Sequence, residues 1–579
     1  MKGLLSRSRL PVLDEASVAP SALGPAFVPT LPPSLKSYVH LEHVGDQWEI
    51  RVAAGHEFDA GFLTWLGDLD HHGVAYVREC VDLDNLVNRQ SRERMSSADL
   101  DVSPPMREAV IRFFELADAA GASDVHWHLG RDTLQTLVRI DGDRYVVGAW
   151  SKTAADGQQV LRAVMELAHN KPTEYKTQEF QNGTIDGRKI PGSALENIRI
   201  NRGPADPAAF GGQYMVCRLQ PDVHASARRR VDPATAARLL DLRVPPRPSE
   251  RLLGASQRNN EPAGSPKSRF EIARDVLAAA GLDERQIDLA VRILAGKGLV
   301  ITTGPTGSGK STLQHALMTY KAELDPTKAQ ISIEDPPEKP LAWAVTLAVT
   351  SDHPFDLLQK ETLRMDPNIV QIGEARDFVT TMAGFTAARS GRLTFETMHV
   401  DDPLEVFDRM RDFDFERLSP RVTCNHRLIT GIIGRRLFPL LCEKCRVPLA
   451  FAGGDALPGY LREDLRAWGT LNQVHLKGPG CDACHRKGIT GRVTVTEVIR
   501  TDAALMRDLR ELSLADAAQR HRARKDTDRA MIHRAIDYVL AGKVDPLELG
   551  EHLTIERPDD VYGPGVYGTD AIALKGDDQ

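Results

Sequence analysis

Leu299-Val300-Ile301-Thr302-Thr303-Gly304-Pro305-Thr306-Gly307-Ser308-Gly309-Lys310-Ser311-Thr312 decides how the rest of this chain is read. A β-branched run gives way to a glycine-rich turn, then to a lysine and two hydroxyl residues, and Ser311–Tyr320 behind them reads as a helix. This is the order of a strand, a phosphate-cradling loop and a helix. Glycines let successive backbone N–H groups turn toward an anion, and the helix adds the positive end of its dipole. Lys310 can reach the β- and γ-phosphates of a nucleotide, and the Ser311 hydroxyl can ligate Mg²⁺. Gly304, Pro305, Thr306, Gly307, Ser308, Gly309, Lys310, Ser311 and Thr312 are therefore candidate nucleotide-binding residues, with ATP and Mg²⁺ as the expected ligands.

Phosphoryl transfer needs a further metal ligand and a group that orients the attacking water. Two apolar strands offer acids for this. Ile331-Ser332-Ile333 runs into Glu334-Asp335, and Ile369-Val370-Gln371-Ile372-Gly373 runs into Glu374. In a doubly wound α/β sheet the carboxyl ends of the strands line the ligand crevice, so these acids can face the nucleotide. A third strand, Leu393–Met398, ends at His399. Spacing alone leaves two readings of that histidine, a sensor of the γ-phosphate and an ordinary polar strand end.

A chain of 579 residues is too long for one core and is expected to hold three or four domains. Its 42% apolar and 26% charged residues are ordinary for a globular protein. A net charge of −7 argues against a protein wrapped around nucleic acid. No apolar run approaches the ~20 residues of a membrane span. Met1–Pro11 is basic with no apolar run behind it, so no export signal is expected. The expected location is cytoplasmic, at the inner membrane only peripherally and through partners.

Residues 1–35, rich in Pro, Ser and Ala, are expected to form a disordered leader, and 36–105 a small N-terminal α/β module and linker. Residues 106–219 read as an α/β domain. It should hold a helix over Met106–Ala120, strands at Asp124–Leu129, Thr133–Ile140 and Arg144–Gly148, a hairpin turn at Ile140–Asp143, and a helix over Gln158–Leu167. Residues 220–268 read as a linker or insertion and 269–439 as the P-loop core. Residues 440–495 are expected to form a tetracysteine metal module, 496–553 a helical region with an amphipathic Met531–Leu540, and 554–579 a tail.

Of seven cysteines, Cys80, Cys217 and Cys424 are scattered. The other four form two CxxC pairs, Cys442/Cys445 and Cys481/Cys484, with 35 residues between them. In a chain without an export signal this pattern favours metal over disulfides. Four thiolates leave no open coordination position, which suits structural zinc better than catalytic zinc. The spacer is longer than in the usual zinc ribbon, and His485 is surplus.

In their order along the chain, these pieces resemble the hexameric motor ATPases of type II secretion and type IV pilus assembly, within the wider secretion-ATPase superfamily. GPTGSGKST at 304–312 resembles that family's Walker A, ISIEDPPE at 331–338 its Asp box, LRMDPNIVQIGEARD at 363–377 its Walker B and AARSGRLTFETMHV at 387–400 its His box. The CxxC pairs, followed by GITGRVTVTEVI at 488–499, resemble the metal-binding module of the assembly-type members. ASDVHWHL at 122–129 and VRIDG at 138–142 resemble the start of the family's N-terminal ATPase-associated domain. The likeness covers about 106–219 and 270–552. It implies an α/β fold in which a RecA-like P-loop ATPase domain follows a smaller, PAS-like α/β domain and carries a small CxxC metal-binding insertion.

The resemblance also implies roles. Lys310 would neutralise the β- and γ-phosphates, Ser311 would hold Mg²⁺, and Glu374 would act at Mg²⁺ and the attacking water. Glu334 and Asp335 would help activate that water, and His399 would read the γ-phosphate. Arg199 and Arg218, with Arg139 as a further match, would complete the site from the preceding domain. Cys442, Cys445, Cys481 and Cys484 would hold zinc. The implied protein is a homo-oligomer, a hexamer, that hydrolyses ATP to power assembly of a type IV pilus or a type II-like secretion filament. Its implied partner is an inner-membrane platform protein, and no nucleic acid is expected. The alternatives are a retraction or conjugation-linked ATPase, a P-loop nucleic-acid translocase, and a nucleotide-binding scaffold with little turnover. Four departures from the family pattern are Arg392 in place of a first histidine, Asn368 in place of an aspartate, the small Ala375 before Arg376, and the long 220–268 segment.

Overall fold

The computed structural model describes most of residues 29–81, and residues 102–569 apart from 208–210, 223–228, 253–266, 340 and 454–455. The leader expected over 1–35 lies almost wholly outside them, as do the middle of the 220–268 segment and the end of the tail. The chain divides into two units, residues 1–100 and 101–579. In the first, β1 (Val39–Val44) pairs antiparallel with β2 (Gln47–Ala53), and β3 (Tyr76–Val81) pairs parallel with β2. A parallel neighbour needs a crossover, which the helix Ala60–His71 supplies. Asp59 caps that helix, and Phe62, Trp65, Leu66 and Leu69 pack on Val39, Ile50 and Val52.

The second unit opens with an antiparallel sheet. Its strands are β4 (Asp124–Leu129), β5 (Thr133–Ile140), β6 (Asp143–Val147), the short β7 (Lys152–Thr153), β8 (Gln181–Asp186), β9 (Leu195–Pro204), β10 (Gln213–Pro221) and β11 (Leu242–Arg243). Their order is β11-β6-β5-β4-β10-β9-β8. The Ile140–Asp143 hairpin forms as expected. Asp141 (φ 51°) and Gly142 (φ 89°) supply the two left-handed residues that a two-residue turn demands. Helices Pro104–Ala119 and Ala154–Leu167 cover one face, with Val110, Phe113, Phe114 and Ala117 fully buried. The first starts earlier than its periodicity predicts, because Pro104 and Pro105 occupy positions whose N–H groups a helix leaves unbonded. The second starts earlier because Thr153 caps it through the Asp156 N–H.

Part of the 220–268 stretch is built in. Asp232 caps a helix over Pro233–Leu240, and β11 then extends the sheet. Its prolines punctuate structure there, where composition alone reads as linker.

The other large sheet of this unit is the P-loop sheet. Its strands are β12 (Gly298–Thr303), β13 (Gln330–Glu334), β14 (Ala344–Ala348), β15 (Ile369–Ile372), β16 (Leu393–Met398) and β17 (Ile429–Leu441). Two short strands follow, β18 (Val447–Pro448) and β19 (His475–Leu476), and then β20 (Ile489–Arg500). The order is β14-β13-β15-β16-β12-β17-β20, parallel throughout except where β20 runs back along β17. Every residue of β12, β13, β15 and β16 is buried, as a parallel sheet covered on both faces requires. On one face Val300 and Phe395 meet Leu313 and Leu317 of the helix Lys310–Leu324. On the other, Leu299 and Ile301 meet Phe385 and Met410.

β17 and β20 extend past the sheet as a long ribbon, and the cysteine module hangs from its end. The residues beyond form a further core in which Phe438 and Val495 meet Trp468, Ile536 and Val539. Residues 554–569, expected as tail, return to that core. Tyr562 is buried, its oxygen accepting the Ala530 N–H at 3.2 Å and standing 2.8 Å from Nδ1 of His533. Among the described residues no helix is long and apolar enough to cross a membrane.

Glu396, in the middle of β16, is fully buried, and neither of its carboxylate oxygens has a hydrogen-bond partner. Its room comes from Gly384 on the helix Phe378–Arg389, where a Cβ would stand 2.8 Å from the carboxylate. Burial pushes this carboxyl far above the usual carboxylate range. The folded chain therefore keeps a proton that the unfolded chain loses, and stability falls as pH rises through and beyond that range. Glu396→Gln should raise the melting temperature at pH 8, and the gain should shrink toward pH 5. A melting series across that range in which the two proteins run parallel would contradict a protonated Glu396.

Candidate functional site

The loop after β12 turns on residues that only glycine fills easily. Gly304 has φ 140°, and a Cβ there would lie 2.2 Å from the Arg435 carbonyl oxygen. Gly309 (φ 87°) is the N-cap of the helix Lys310–Leu324 and offers no side chain to its N–H groups. Those donors and the positive helix end are left for an anion. Lys310 folds back onto its own loop, donating to the carbonyls of Gly304 at 2.8 Å and Pro305 at 2.9 Å. Burial lowers its pKa and the Glu374 carboxylate works against that shift.

Three strand ends converge on this loop. Glu334 ends β13 with Asp335 behind it, Gly373-Glu374 follows β15, and His399 follows β16. These residues line one cleft of about 720 Å³ with Thr306, Gly307, Gly309, Lys310, Ser311 and Thr312. Arg376 organises its acids, donating from Nε to Glu374 at 2.8 Å and from Nη1 to Asp335 at 3.0 Å. His399 Nε2 lies 3.3 Å from the other Glu374 oxygen. Burial, and next the charge of Lys310, lower the His399 pKa, so the ring is neutral at neutral pH. Glu334 is buried and accepts the Glu338 N–H at 3.3 Å.

Several cleft residues were not singled out by sequence reading. Arg376 stood in a quoted motif, and its place two residues past a strand-end acid was the available signal. Glu338, the last residue of the quoted ISIEDPPE stretch, also lines the cleft, as does His315, which carried no signal. Gln314 and Gln371 join the loop helix to β15 through a 3.1 Å hydrogen bond that no spacing reveals. The Thr397 hydroxyl donates to the Gly373 carbonyl at 2.5 Å and fixes the turn that carries Glu374.

The arginines expected to complete the nucleotide site stand elsewhere in this conformation. Arg139 is buried and pairs with Asp366 at 2.5 Å, and it also donates to Asn368 and to the Asp366 and Gly142 carbonyls. Arg218 pairs with Asp124 at 2.8 Å and with Asp366 at 3.2 Å. Both therefore grip the segment that enters β15, at the opposite end of that strand from Glu374. Arg199 is exposed, and with Arg218 and Arg364 it lines a separate cleft of about 490 Å³. None of the three lines the phosphate cleft.

The four paired cysteines meet at the end of the β17–β20 ribbon, their Sγ atoms all within 4.8 Å of one another. Cys442–Cys481, Cys445–Cys484 and Cys481–Cys484 are each 3.8 Å apart. The centre of a tetrahedron with that edge lies about 2.3 Å from each corner, the bond length of a tetrahedral metal–thiolate centre. N–H groups of Cys481 and Gly488 each donate to the Cys484 sulfur at 3.2 Å and draw its thiol down to about 6. The set fits a metal ion. Its long spacer is explained by the helix Gly459–Trp468, whose Leu461, Leu465 and Trp468 join the nearby core.

Fold and cleft together define a P-loop α/β protein with an appended cysteine metal site. A family model described as Type II/IV secretion system protein matches residues 268–552. Type II secretion system protein E of Aeromonas hydrophila is 29% identical over 266 residues, which cover 45% of this chain and 49% of that protein. Type II secretion system protein HxcR of Pseudomonas aeruginosa is 31% identical over 244 residues, 40% of this chain and 45% of that protein. Type IV pilus assembly ATPase PilB of Pseudomonas aeruginosa is 30% identical over 238 residues, 40% of each. The chain thus spans about half or less of the length of these relatives.

The thiol geometry can be tested with a coloured ion. Reduced protein loaded with Co²⁺ should show the intense visible bands of a tetrahedral four-sulfur centre, at one equivalent. Cys442→Ser should weaken and shift them, and an unaltered spectrum would remove Cys442 from the ligand set.

Proposed function

We propose that this chain is an ATP-hydrolysing motor subunit that powers assembly of a type IV pilus or a type II-like secretion filament. The observation that carries the reading is the single cleft in which the phosphate loop, Glu334, Asp335, Glu374 and His399 face one another. The names of the relatives support the system, and the cysteine module supports assembly over retraction. No nucleic-acid partner is proposed, because the net charge is −7.

Lys310 exchanges its two loop carbonyls for the β- and γ-phosphate oxygens of ATP. The loop N–H groups and the helix end hold the phosphates in place. Ser311 and the acids would hold Mg²⁺, which when bound would neutralise phosphate charge and polarise the reacting phosphoryl group. Glu374 orients water, with its own carboxylate positioned by Arg376 and His399. Asp335 is fixed by the same guanidinium. Arg199 and Arg218 act from the antiparallel layer, serving a cleft in another copy of a hexameric ring or their own after a movement of that layer. A guanidinium there suits developing phosphoryl charge because it stays protonated and can bind two oxygens.

We further propose zinc at the four cysteines, where four thiolates without an open position serve structure. The ring would work in the cytoplasm on an inner-membrane platform protein.

Purified protein should hydrolyse ATP in a Mg²⁺-dependent way. Lys310→Ala should lose at least ~100-fold in turnover, because the phosphate cation is removed. Glu374→Gln should still bind ATP while turnover collapses. Hydrolysis by Lys310→Ala at the wild-type rate would refute the site. Elemental analysis should find one zinc per chain.

A further inference from the structure

Arg435 lies on β17 where that strand leaves the level of β12, since its neighbour Gly434 pairs with Thr303. It is buried, at 4% exposure. Its Nε and Nη1 have no hydrogen-bond partner, and the contact of Nη2 with the Thr494 hydroxyl is long, at 3.5 Å. No carboxylate pairs with it among the described residues. The other buried arginines are treated differently. Arg522 has Glu497 and Asp402, Arg436 has Asp401, and Arg139 has Asp366. Arg144 and Arg202 each donate to at least two oxygens. A buried guanidinium without a counter-charge is costly. This one also sits beside the positive end of a helix, which raises the cost.

The place of Arg435 identifies the missing anion. A Cβ added to Gly309 would meet the Arg435 Nε at 3.1 Å, so no side chain stands between the guanidinium and the loop. The Arg435 carbonyl likewise abuts Gly304. One residue of β17 thus packs against both ends of the loop. The order β15-β16-β12-β17 puts Arg435 on the far side of the loop from Glu374 and His399. It is remote from the acids around the reacting phosphoryl group and near the part of a nucleotide that hydrolysis leaves unchanged.

We propose that Arg435 is a further nucleotide-binding residue, whose guanidinium is the cation for the α,β-diphosphate shared by ATP and ADP. This rests on the loop being a nucleotide site. In that role Arg435 tunes affinity for substrate and product alike, and Lys310 acts at the β,γ end.

The test compares wild type, Arg435→Gln, Arg435→Lys and Lys310→Ala by melting temperature and by fluorescent ADP binding. Without nucleotide, Arg435→Gln should melt at or above wild type, because an unpaired buried charge has gone. Its affinity for MgADP should fall ~10-fold, as for loss of a charge-assisted hydrogen bond. Arg435→Lys should recover part of that loss. KM for ATP should rise by a larger factor than kcat falls. Wild-type ADP affinity in Arg435→Gln would overturn the proposal, as would a lowered melting temperature with affinity intact, the mark of a purely structural residue. A wild-type protein that binds neither ADP nor ATP would overturn the nucleotide reading itself, and this proposal with it.

Discussion

The site depends on parallel register. Thr303 at the end of β12 lies beside Met398 at the end of β16, so Gly304 and His399 leave the sheet at one level. Ile372 pairs with Glu396 on one side and with Ile333 on the other, which brings Gly373-Glu374 and Glu334 out at nearly the same level. No side-chain contact creates this convergence. It follows from strands that run the same way and are buried on both faces, where a slip of one residue would exchange the faces and put the wrong side chains into each core. Arg376, Thr397 and Gln314 then adjust a geometry that the backbone has already set.

Much of this was legible in the sequence. The β-branched run before Gly304 and the glycines after it specify strand, loop and helix locally, and the apolar runs ending in Glu334, Glu374 and His399 mark strand ends. The cysteines were legible because two CxxC pairs constrain one another. Other features were not local. The arginines came from positional likeness, and likeness does not say which end of β15 they grip. Arg139 and Arg218 meet Asp366, a residue far along the chain, and that pairing needs two sheets docked against each other. Residues 229–252 lie in the 220–268 stretch, read as linker from its Pro, Arg, Ser and Asn, and 554–569 lie in the stretch read as tail. In both, proline opens a helix, at Pro233 and Pro558.

Glu396 and Arg435 are the two places where local rules fail most plainly. Each is a buried ionisable group without a counter-charge, and their environments differ. Glu396 faces a glycine inside an apolar layer and resolves its burial by keeping a proton. Arg435 has no such route, since a guanidinium stays charged near neutral pH, and burial draws it down only to about 10. The contrast explains why one reads as a property of the core and the other as an unfinished site.

The β17–β20 ribbon joins two places treated separately so far. At one end Arg435 touches the loop, and at the other Leu441 pairs with Ile489 beside the cysteines. Six residues of strand separate them, about 20 Å at the usual rise. The thiol site closes the 442–488 excursion at its base, so a bound ion would make the two strand ends one rigid corner. The ribbon is then a rod with a fixed foot. A tilt of about 5° where it touches the loop displaces the cysteine end by about 2 Å. Backbone pairing already joins the strand ends there, with the Cys442 N–H donating to the Gly488 carbonyl at 2.9 Å, and a bound ion would add a cross-link that stiffens the coupling between the loop and the cysteine module.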